Sequence, residues 1–326
     1  MDNTTKEIAR VVREKSSSPF VMVAAMLMSM GAILSIAGMV ANLLSGLETA
    51  EKLKEMVYMP YDNEMMTFFN ICIKGTGIFS IVSFIFSLIP TLLLIYGIYL
   101  IYINAKSSSE MISNKGYKTV AGVMKFYAVI NIITLALIAI AVMAAIVMSF
   151  VFSSNIEDYF ASQGMEFDSA VLIVLAVVLV FVMIFVAIAF AVSIAYYLSL
   201  SGSFKFMAGV FEGKRVKKIS MFGIILMFLG FFGEISSLFS NLRNMNMDYS
   251  QIEEALGSDF AYMISELMPS TVTRFNLFAL QSLETLFVCA AGIIAAILLT
   301  MTHSQVTRIL NQERMGYGNN NLTNGY

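Results

Sequence analysis

The sequence predicts an all-α membrane protein: a bundle of six transmembrane helices arranged as three hairpins, with both termini in the cytoplasm. Two observations lead to this prediction. First, 58% of the 326 residues are hydrophobic and 13% are charged, whereas a soluble domain has about 45–50% apolar and about 25% charged residues. Second, the apolar residues cluster into uncharged runs, and a run of about 18 such residues is long enough to cross a bilayer.

Six segments meet the length requirement for a membrane span. At about 1.5 Å per residue, each covers the roughly 30 Å hydrocarbon core. The predicted spans are residues 20–44, 76–103, 119–152, 170–200, 219–241 and 275–302. They divide the chain into a basic amphipathic arm (1–19), a six-span domain (20–303) and a polar tail (304–326). We predict that this tail is disordered because it is rich in glycine and asparagine.

The first span is predicted to be retained rather than cleaved as a signal peptide. The apolar run from Phe20 to Leu44 exceeds the roughly 7–15 residues of a signal-peptide core. In the preceding arm, Ile8, Val11 and Val12 alternate with basic residues at helical spacing, which predicts a helix lying on the anionic inner leaflet. We therefore expect an integral protein of the cytoplasmic membrane, and the composition is typical of multi-span proteins from bacteria.

The distribution of basic residues predicts the orientation, because Lys and Arg are enriched in cytoplasmic loops. With the N-terminus inside, fifteen of the 20 Lys and Arg residues lie on the inner side. The five on the outer side are Lys52, Lys54, Lys74, Arg243 and Arg274. Tyrosines prefer the membrane interface, and Tyr196 and Tyr197 are predicted to close the fourth span at its inner end.

The first span carries a face of small residues, formed by Gly31, Ser35 and Gly38. Small residues allow the backbones of two membrane helices to approach closely. We therefore predict that this face packs against another span of the bundle and does not bind a ligand.

Only two acidic residues lie well inside the predicted spans: Glu234 in the fifth and Glu284 in the sixth. Glu234 lies about 22 Å from the inner end of its span and Glu284 about 13 Å from the outer end, so both fall in the outer half at similar depth. Charges are rare at such positions because their burial in a bilayer costs several kcal/mol. Since the two spans are consecutive and antiparallel, the two carboxylates can face each other.

Small and polar residues flank both glutamates at helical spacing, which points the acids into the bundle. Gln281 lies one turn from Glu284, and Asn131 is a further polar residue near the middle of the third span. One hypothesis is a cation or proton site, because two carboxylates in a low-dielectric space do not both ionise readily. In the alternatives, each acid is protonated or hydrogen-bonded and only fixes helix packing, or both lie in a water-filled crevice open to the outside.

Motifs for enzyme chemistry are absent from the sequence. There is no His-Glu-x-x-His helix, no Gly-x-x-x-x-Gly-Lys-Ser/Thr loop and no Cys/His cluster, which are the patterns of zinc proteases, ATP sites and structural metal sites. The single histidine, His303, lies at the inner end of the last span. We predict no catalytic residue, no cofactor and no metal site.

Three functional hypotheses remain. The first is a non-enzymatic membrane component, with a protein partner or a homo-oligomer as open alternatives. The second is a small-solute or cation/proton transporter that uses Glu234 and Glu284. The third, a lipid-modifying membrane enzyme, lacks a catalytic set. The predicted environment is the lipid bilayer, and no nucleic-acid partner is expected.

Overall fold

The computed structural model describes residues 2–56, 63–107, 113–151, 170–214, 219–245 and 270–323, and all regular structure in these residues is α-helical. The seven described helices are α1 (Asn3–Ser16), α2 (Pro19–Met56), α3 (Asn63–Lys106), α4 (Lys115–Val151), α5 (Ala170–Phe211), α6 (Met221–Met245) and α7 (Thr271–Thr323). In this part of the chain, the six helices from α2 to α7 are long and apolar enough to cross a membrane. They indicate an integral membrane protein, in agreement with the predicted class and number of spans.

Helix α5 is longer than the predicted fourth span by about three turns, since it runs to Phe211 instead of ending near residue 200. It stops at Gly213, whose φ of 73° lies in the left-handed region. The amides of Gly213 and Lys214 then donate hydrogen bonds to the carbonyl oxygens of Val210 and Gly209. This is the Schellman arrangement, which satisfies the last carbonyl groups of a helix.

The chain beyond residue 303 also differs from its prediction. Helix α7 continues to Thr323, and Val306 and Ile309 are buried in the same apolar cluster as residues of α1. These two side chains lie about one helical turn apart and therefore share one face of the helix. The prediction of a disordered tail is therefore wrong for residues 304–323, because its polar composition conceals this apolar face.

The six long helices form a closed ring. Each packs against the helix that precedes it and the helix that follows it in the chain, and α7 also packs against α2. Every chain neighbour is therefore a spatial neighbour. Since the contacts between the predicted hairpins resemble those within them, the grouping into three hairpins stays a prediction.

The seam between α2 and α7 closes this ring. A Cβ atom built on Gly31 of α2 would lie 3.0 Å from Cγ2 of Val288 on α7, so the two backbones approach closely at this point. Towards the other end of the pair, the amide of Ser270 donates a hydrogen bond of 2.5 Å to the carboxylate of Glu48. Gly31 and Ser35 of the small-residue face thus pack against α7 as predicted, whereas a Cβ atom on Gly38 would meet no atom within 4 Å.

Helix α1 lies across one end of the ring, which we call the α1 end. The Asp2 carboxylate accepts a hydrogen bond of 2.6 Å from the amide of Thr5, which caps the start of the helix. Ile8 and Val12, one turn apart, are almost fully buried, and α1 packs against α3, α5 and α7. The apolar face of the arm therefore contacts protein, and its predicted position at the inner leaflet stays a prediction.

Polar contacts fix α1 to the ends of two other helices. The guanidinium of Arg13 donates hydrogen bonds to the carbonyl oxygens of Ala105, at 3.1 Å, and of Ser107 at the end of α3. The hydroxyl groups of Ser16 and Tyr117 share a buried hydrogen bond of 2.6 Å, which links α1 to the start of α4. The contacts of Arg13 satisfy helix-terminal carbonyl groups that have no partner within α3.

Charged residues also meet at the α1 end. Glu212, which follows α5, accepts hydrogen bonds of 2.5 Å from Lys118 and from Asn114, and the Nζ atom of Lys214 lies 3.4 Å from its second oxygen. The bond from Lys118 is the main cause that lowers the pKa of Glu212 to about 2. The carboxylate therefore stays ionised at physiological pH and joins the end of α5 to the start of α4.

Candidate functional site

Six polar side chains, one from each long helix, are linked by successive interactions around the ring. We call them the polar layer. In order around the ring they are Ser35 (α2), Glu284 (α7), Glu234 (α6), Tyr197 (α5), Tyr127 (α4) and Thr91 (α3). Five successive interactions connect them, and they divide into an acidic half and a tyrosine half.

The acidic half contains both glutamates. The side chain of Ser35 forms a hydrogen bond with the carboxyl group of Glu284, and Glu284 is close enough to Glu234 for the two groups to interact electrostatically. Glu234 interacts in the same way with Tyr197 on one side and with Cys289 on the other. The structure therefore brings together the two glutamates, which the sequence analysis predicts to lie at similar depth in the membrane.

The tyrosine half lies beside Glu234. The rings of Tyr197 and Tyr127 stack with 5.3 Å between their centroids, and the ring of Tyr196 lies 5.0 Å from that of Tyr197. The Tyr127 hydroxyl is 3.1 Å from the hydroxyl of Thr91. Because α5 continues to Phe211, Tyr196 and Tyr197 lie well inside the helix, and their predicted position at the inner end of a span stays a prediction.

The helix lengths explain why these residues meet at one level. Thr91, Ser35 and Glu234 each lie thirteen to sixteen residues from the end of their helix at the α1 end. At the helical rise per residue this is about 20–24 Å. The polar layer therefore lies at one level along the bundle axis, about four helical turns from the α1 end.

An apolar cavity of about 240 Å³ lies between the polar layer and α1. All seven described helices contribute to its wall. Its α1 side is formed by Lys15, Ser16, Tyr117 and Thr302, and the opposite side includes Tyr196 and Val288. Val288 follows Glu284 by one turn of α7, so the carboxylate lies only about 5 Å along the helix from the edge of the cavity.

The two carboxylates differ in their surroundings. Glu284 is half-buried, and Glu234 is exposed although its electrostatic neighbours lie on both helices that flank α6. Glu234 is therefore accessible from outside the bundle, while its electrostatic neighbours lie on α5 and α7. In the part of the chain that the structure describes, no Lys, Arg or His forms an ion pair with either acid.

The other polar residues singled out in the sequence lie outside this pair. Asn131 accepts a hydrogen bond of 3.3 Å from Ser193 and donates one of 2.8 Å to the carbonyl oxygen of Tyr127, so it joins α4 to α5. Gln281 is half-buried one turn from Glu284. His303 lies at the α1 end, with Nδ1 3.1 Å from the carbonyl oxygen of Ile219.

Comparisons with protein-family models, with curated proteins and with solved structures gave no match. The class of protein is therefore defined by its own architecture. Six long apolar helices indicate an integral membrane protein. Its distinguishing feature is an acid-containing polar layer next to an apolar cavity.

Proposed function

We propose that the chain is a non-enzymatic transporter of the cytoplasmic membrane that binds a cation or a proton between Glu234 and Glu284. One observation supports this function most directly: the two carboxylates come from helices that pack against each other, and they interact electrostatically. A charge inside a membrane bundle is costly, and such residues are found along ion and proton pathways.

The chemistry of the pair favours a positively charged occupant. Two carboxylates that share a low-dielectric space repel each other when both are ionised. A bound proton or a monovalent cation removes this repulsion, and the hydroxyl groups of Ser35 and Tyr197 add oxygen atoms next to the pair. No cofactor is required for this binding.

The exposure of Glu234 favours a binding role of the glutamate pair over a purely structural one. Glu284 has a helix partner, since its carboxyl group is bonded to Ser35 of α2, and that bond alone can fix packing. Glu234 is exposed, and an acid whose only task is to hold two helices together is expected to be buried in their interface. The pair therefore combines an anchored acid with an accessible one.

We further propose that the α1 end faces the cytoplasm, with both termini inside and three hairpins between them. The basic side chains of Arg13, Lys106, Lys118 and Lys214 lie at this end. Positively charged residues are retained on the cytoplasmic side during insertion. Arg243, in the last turn of α6, lies at the opposite end.

Cysteine labelling tests this orientation. In a chain whose natural Cys72 and Cys289 are replaced by alanine, Ser113→Cys lies at the α1 end and Ser270→Cys at the opposite end, both at exposed positions. A maleimide that cannot cross membranes is expected to label Ser270→Cys in intact bacterial cells and Ser113→Cys only after permeabilisation. The reverse pattern contradicts the N-in orientation.

Flux measurements in liposomes test the transport function. The natural protein is expected to move protons, Na⁺ or K⁺ down an imposed gradient, and Glu234→Gln and Glu284→Gln are each expected to reduce the initial rate by about tenfold or more. A tenfold loss corresponds to about 1.4 kcal/mol of activation free energy.

Glu7→Gln is the matched control, because Glu7 is an exposed acid on α1 outside the polar layer. Its flux is expected to equal that of the natural protein. Each variant is checked for a monodisperse elution profile and native helical content. Absence of flux in the natural protein contradicts transport of these ions and favours the non-enzymatic membrane component. Undiminished flux in both glutamine variants contradicts the assignment of the site.

A further inference from the structure

We propose that the natural substrate is an organic cation with an apolar body. Its ammonium group lies at Glu234 and Glu284, and its alkyl or aryl part fills the cavity between the polar layer and α1. This inference rests on the proposed function in one respect: it takes the glutamate pair as the cation site. It adds the chemical class of the substrate.

Neither glutamate lines the cavity, but two residues of its wall are direct neighbours of the acids or of their partners. Val288 and Tyr196 belong to the wall of the cavity. Val288 lies one turn from Glu284, and the ring of Tyr196 contacts that of Tyr197, which interacts with Glu234. A single ligand a few ångströms long can therefore touch the acids with one end and the apolar wall with the other.

The volume and lining of the cavity suit an apolar group of moderate size. Its volume is about 240 Å³, and an apolar protein cavity of about 150 Å³ is large enough to bind benzene. Four methionines, Met28, Met124, Met207 and Met227, lie in its wall. Methionine side chains adapt to differently shaped partners, so we expect the site to accept a class of apolar groups rather than one compound.

The tyrosines favour an ammonium head over an inorganic ion. Tyr127, Tyr196 and Tyr197 form a connected cluster of aromatic rings beside Glu234. Aromatic rings attract cations through the negative potential of their faces, and clusters of such rings recognise quaternary ammonium groups. A small hydrated ion gains nothing from the apolar cavity, whereas an amphiphilic cation uses both halves of the site.

The charges at the two ends of the cavity determine the sign of the ligand. Lys15 is the one charged residue among the described residues that line the cavity, and it lies at the α1 side. Its Nζ atom already pairs with the Glu14 carboxylate at 3.1 Å. At the opposite side, two carboxylates have no basic partner in the described part of the chain. A cationic head directed towards the glutamates therefore fits this site, and an anionic head does not.

Calorimetric binding to the purified full chain in detergent tests this inference with three probes. Benzyltrimethylammonium carries both the head and the body, tetramethylammonium carries only the head, and benzyl alcohol carries only the ring. Benzyltrimethylammonium is expected to bind at least about tenfold more tightly than either other probe, which is the lower end of what burial of an aromatic ring contributes. Equal affinity for all three probes, or no binding of benzyltrimethylammonium, overturns the inference.

Variants assign each part of the ligand to its part of the site. Glu234→Gln and Glu284→Gln are expected to weaken benzyltrimethylammonium about tenfold or more and to leave benzyl alcohol unchanged. Ala295→Phe, which fills the cavity from α7, is expected to weaken both ring-containing probes and to spare tetramethylammonium. The smaller change Ala295→Leu serves the same purpose if the phenylalanine variant does not fold.

Ala290→Phe is the matched control, because Ala290 is a half-buried alanine of the same helix that does not line the cavity. It is expected to bind all three probes normally, and a loss equal to that of Ala295→Phe overturns the placement of the ligand body. The binding and flux experiments distinguish a failure of this inference from a failure of the proposed function. Tight binding of benzyltrimethylammonium without any ion flux upholds this site and rejects transport of inorganic ions, whereas ion flux without such binding upholds transport and rejects the organic substrate.

Discussion

Gly116→Val is expected to prevent the bundle from folding stably. A Cβ atom at Gly116 would lie 2.7 Å from the amide nitrogen of Ile101 and 2.8 Å from the carbonyl oxygen of Gly97, both of them backbone atoms of α3. Backbone atoms cannot rotate away as a side chain can, so α3 and α4 would have to separate. Since overpacking a core costs about 1–3 kcal/mol and more where the backbone must shift, we expect a loss of at least about 3 kcal/mol.

Gly122→Val provides the control for this change. Gly122 lies on the same helix, and no atom within 4 Å would meet a Cβ atom there. Both variants remove a helical glycine and add the same side chain, so they differ only in the space available. The two variants are compared in detergent by size-exclusion chromatography and by fluorescence-detected thermal denaturation. Gly122→Val is expected to elute and melt like the natural protein, whereas Gly116→Val is expected to aggregate. Equal behaviour of the two variants contradicts the close approach of α3 and α4.

Val12→Asp is expected to release α1 from the ring. Val12 is 0% exposed, so a carboxylate there would be buried among apolar residues of α1, α5 and α7. An unpaired buried charge costs about 3–5 kcal/mol. The cost is avoided if α1 leaves its site, and this would open the α1 side of the cavity, where Lys15 and Ser16 form part of the wall. We expect a large increase in proteolysis within residues 1–18.

Asn3→Asp is the matched control, because it changes the charge of α1 by the same amount at an exposed position. It is expected to leave proteolysis at the natural rate, since an acid in the first turn of a helix is favourable. Limited trypsin digestion followed by mass spectrometry measures both variants. Full protection of the arm in Val12→Asp would show that its docking does not depend on the buried face.

The class of fold follows from the sequence because membrane spans have a strong and local signal. Length and apolar composition alone locate all six long helices, and rarity of charge alone selects Glu234 and Glu284. The small face that begins at Gly31 is equally local, and the structure packs it against Val288. Each of these features depends on residues that are close together in the chain.

The tyrosine cluster depends on information that is less local. The sequence predicts that the fourth span ends near residue 200, directly after Tyr196 and Tyr197, whereas the helix continues to Phe211. The Glu212–Gly213 sequence at the true end of the helix is the signal that could have corrected this, because glycine stops helices in the left-handed conformation. Tyr197 lies beside Glu234 because α5 packs against α6. The sequence of either segment alone does not predict this packing.

The docking of α1 was missed for a related reason. Its apolar face, with Ile8 and Val12, suits a lipid surface as well as a protein groove, and the two are not distinguished by amphipathicity. The groove is built from α3, α5 and α7. The face of α7 that receives α1 lies in residues 304–323, whose polar composition hides Val306 and Ile309.

Because α2 packs against α7, the ring can close only after α7 has been synthesised. The ribosome makes α1 and α2 before α7, yet both pack against α7. Until α7 has been inserted, the ring is an open arc whose inner polar groups face lipid or water, and the cavity has no complete wall. The insertion of α7 therefore closes the ring, and a chain interrupted before α7 lacks Glu284 and with it the proposed binding site.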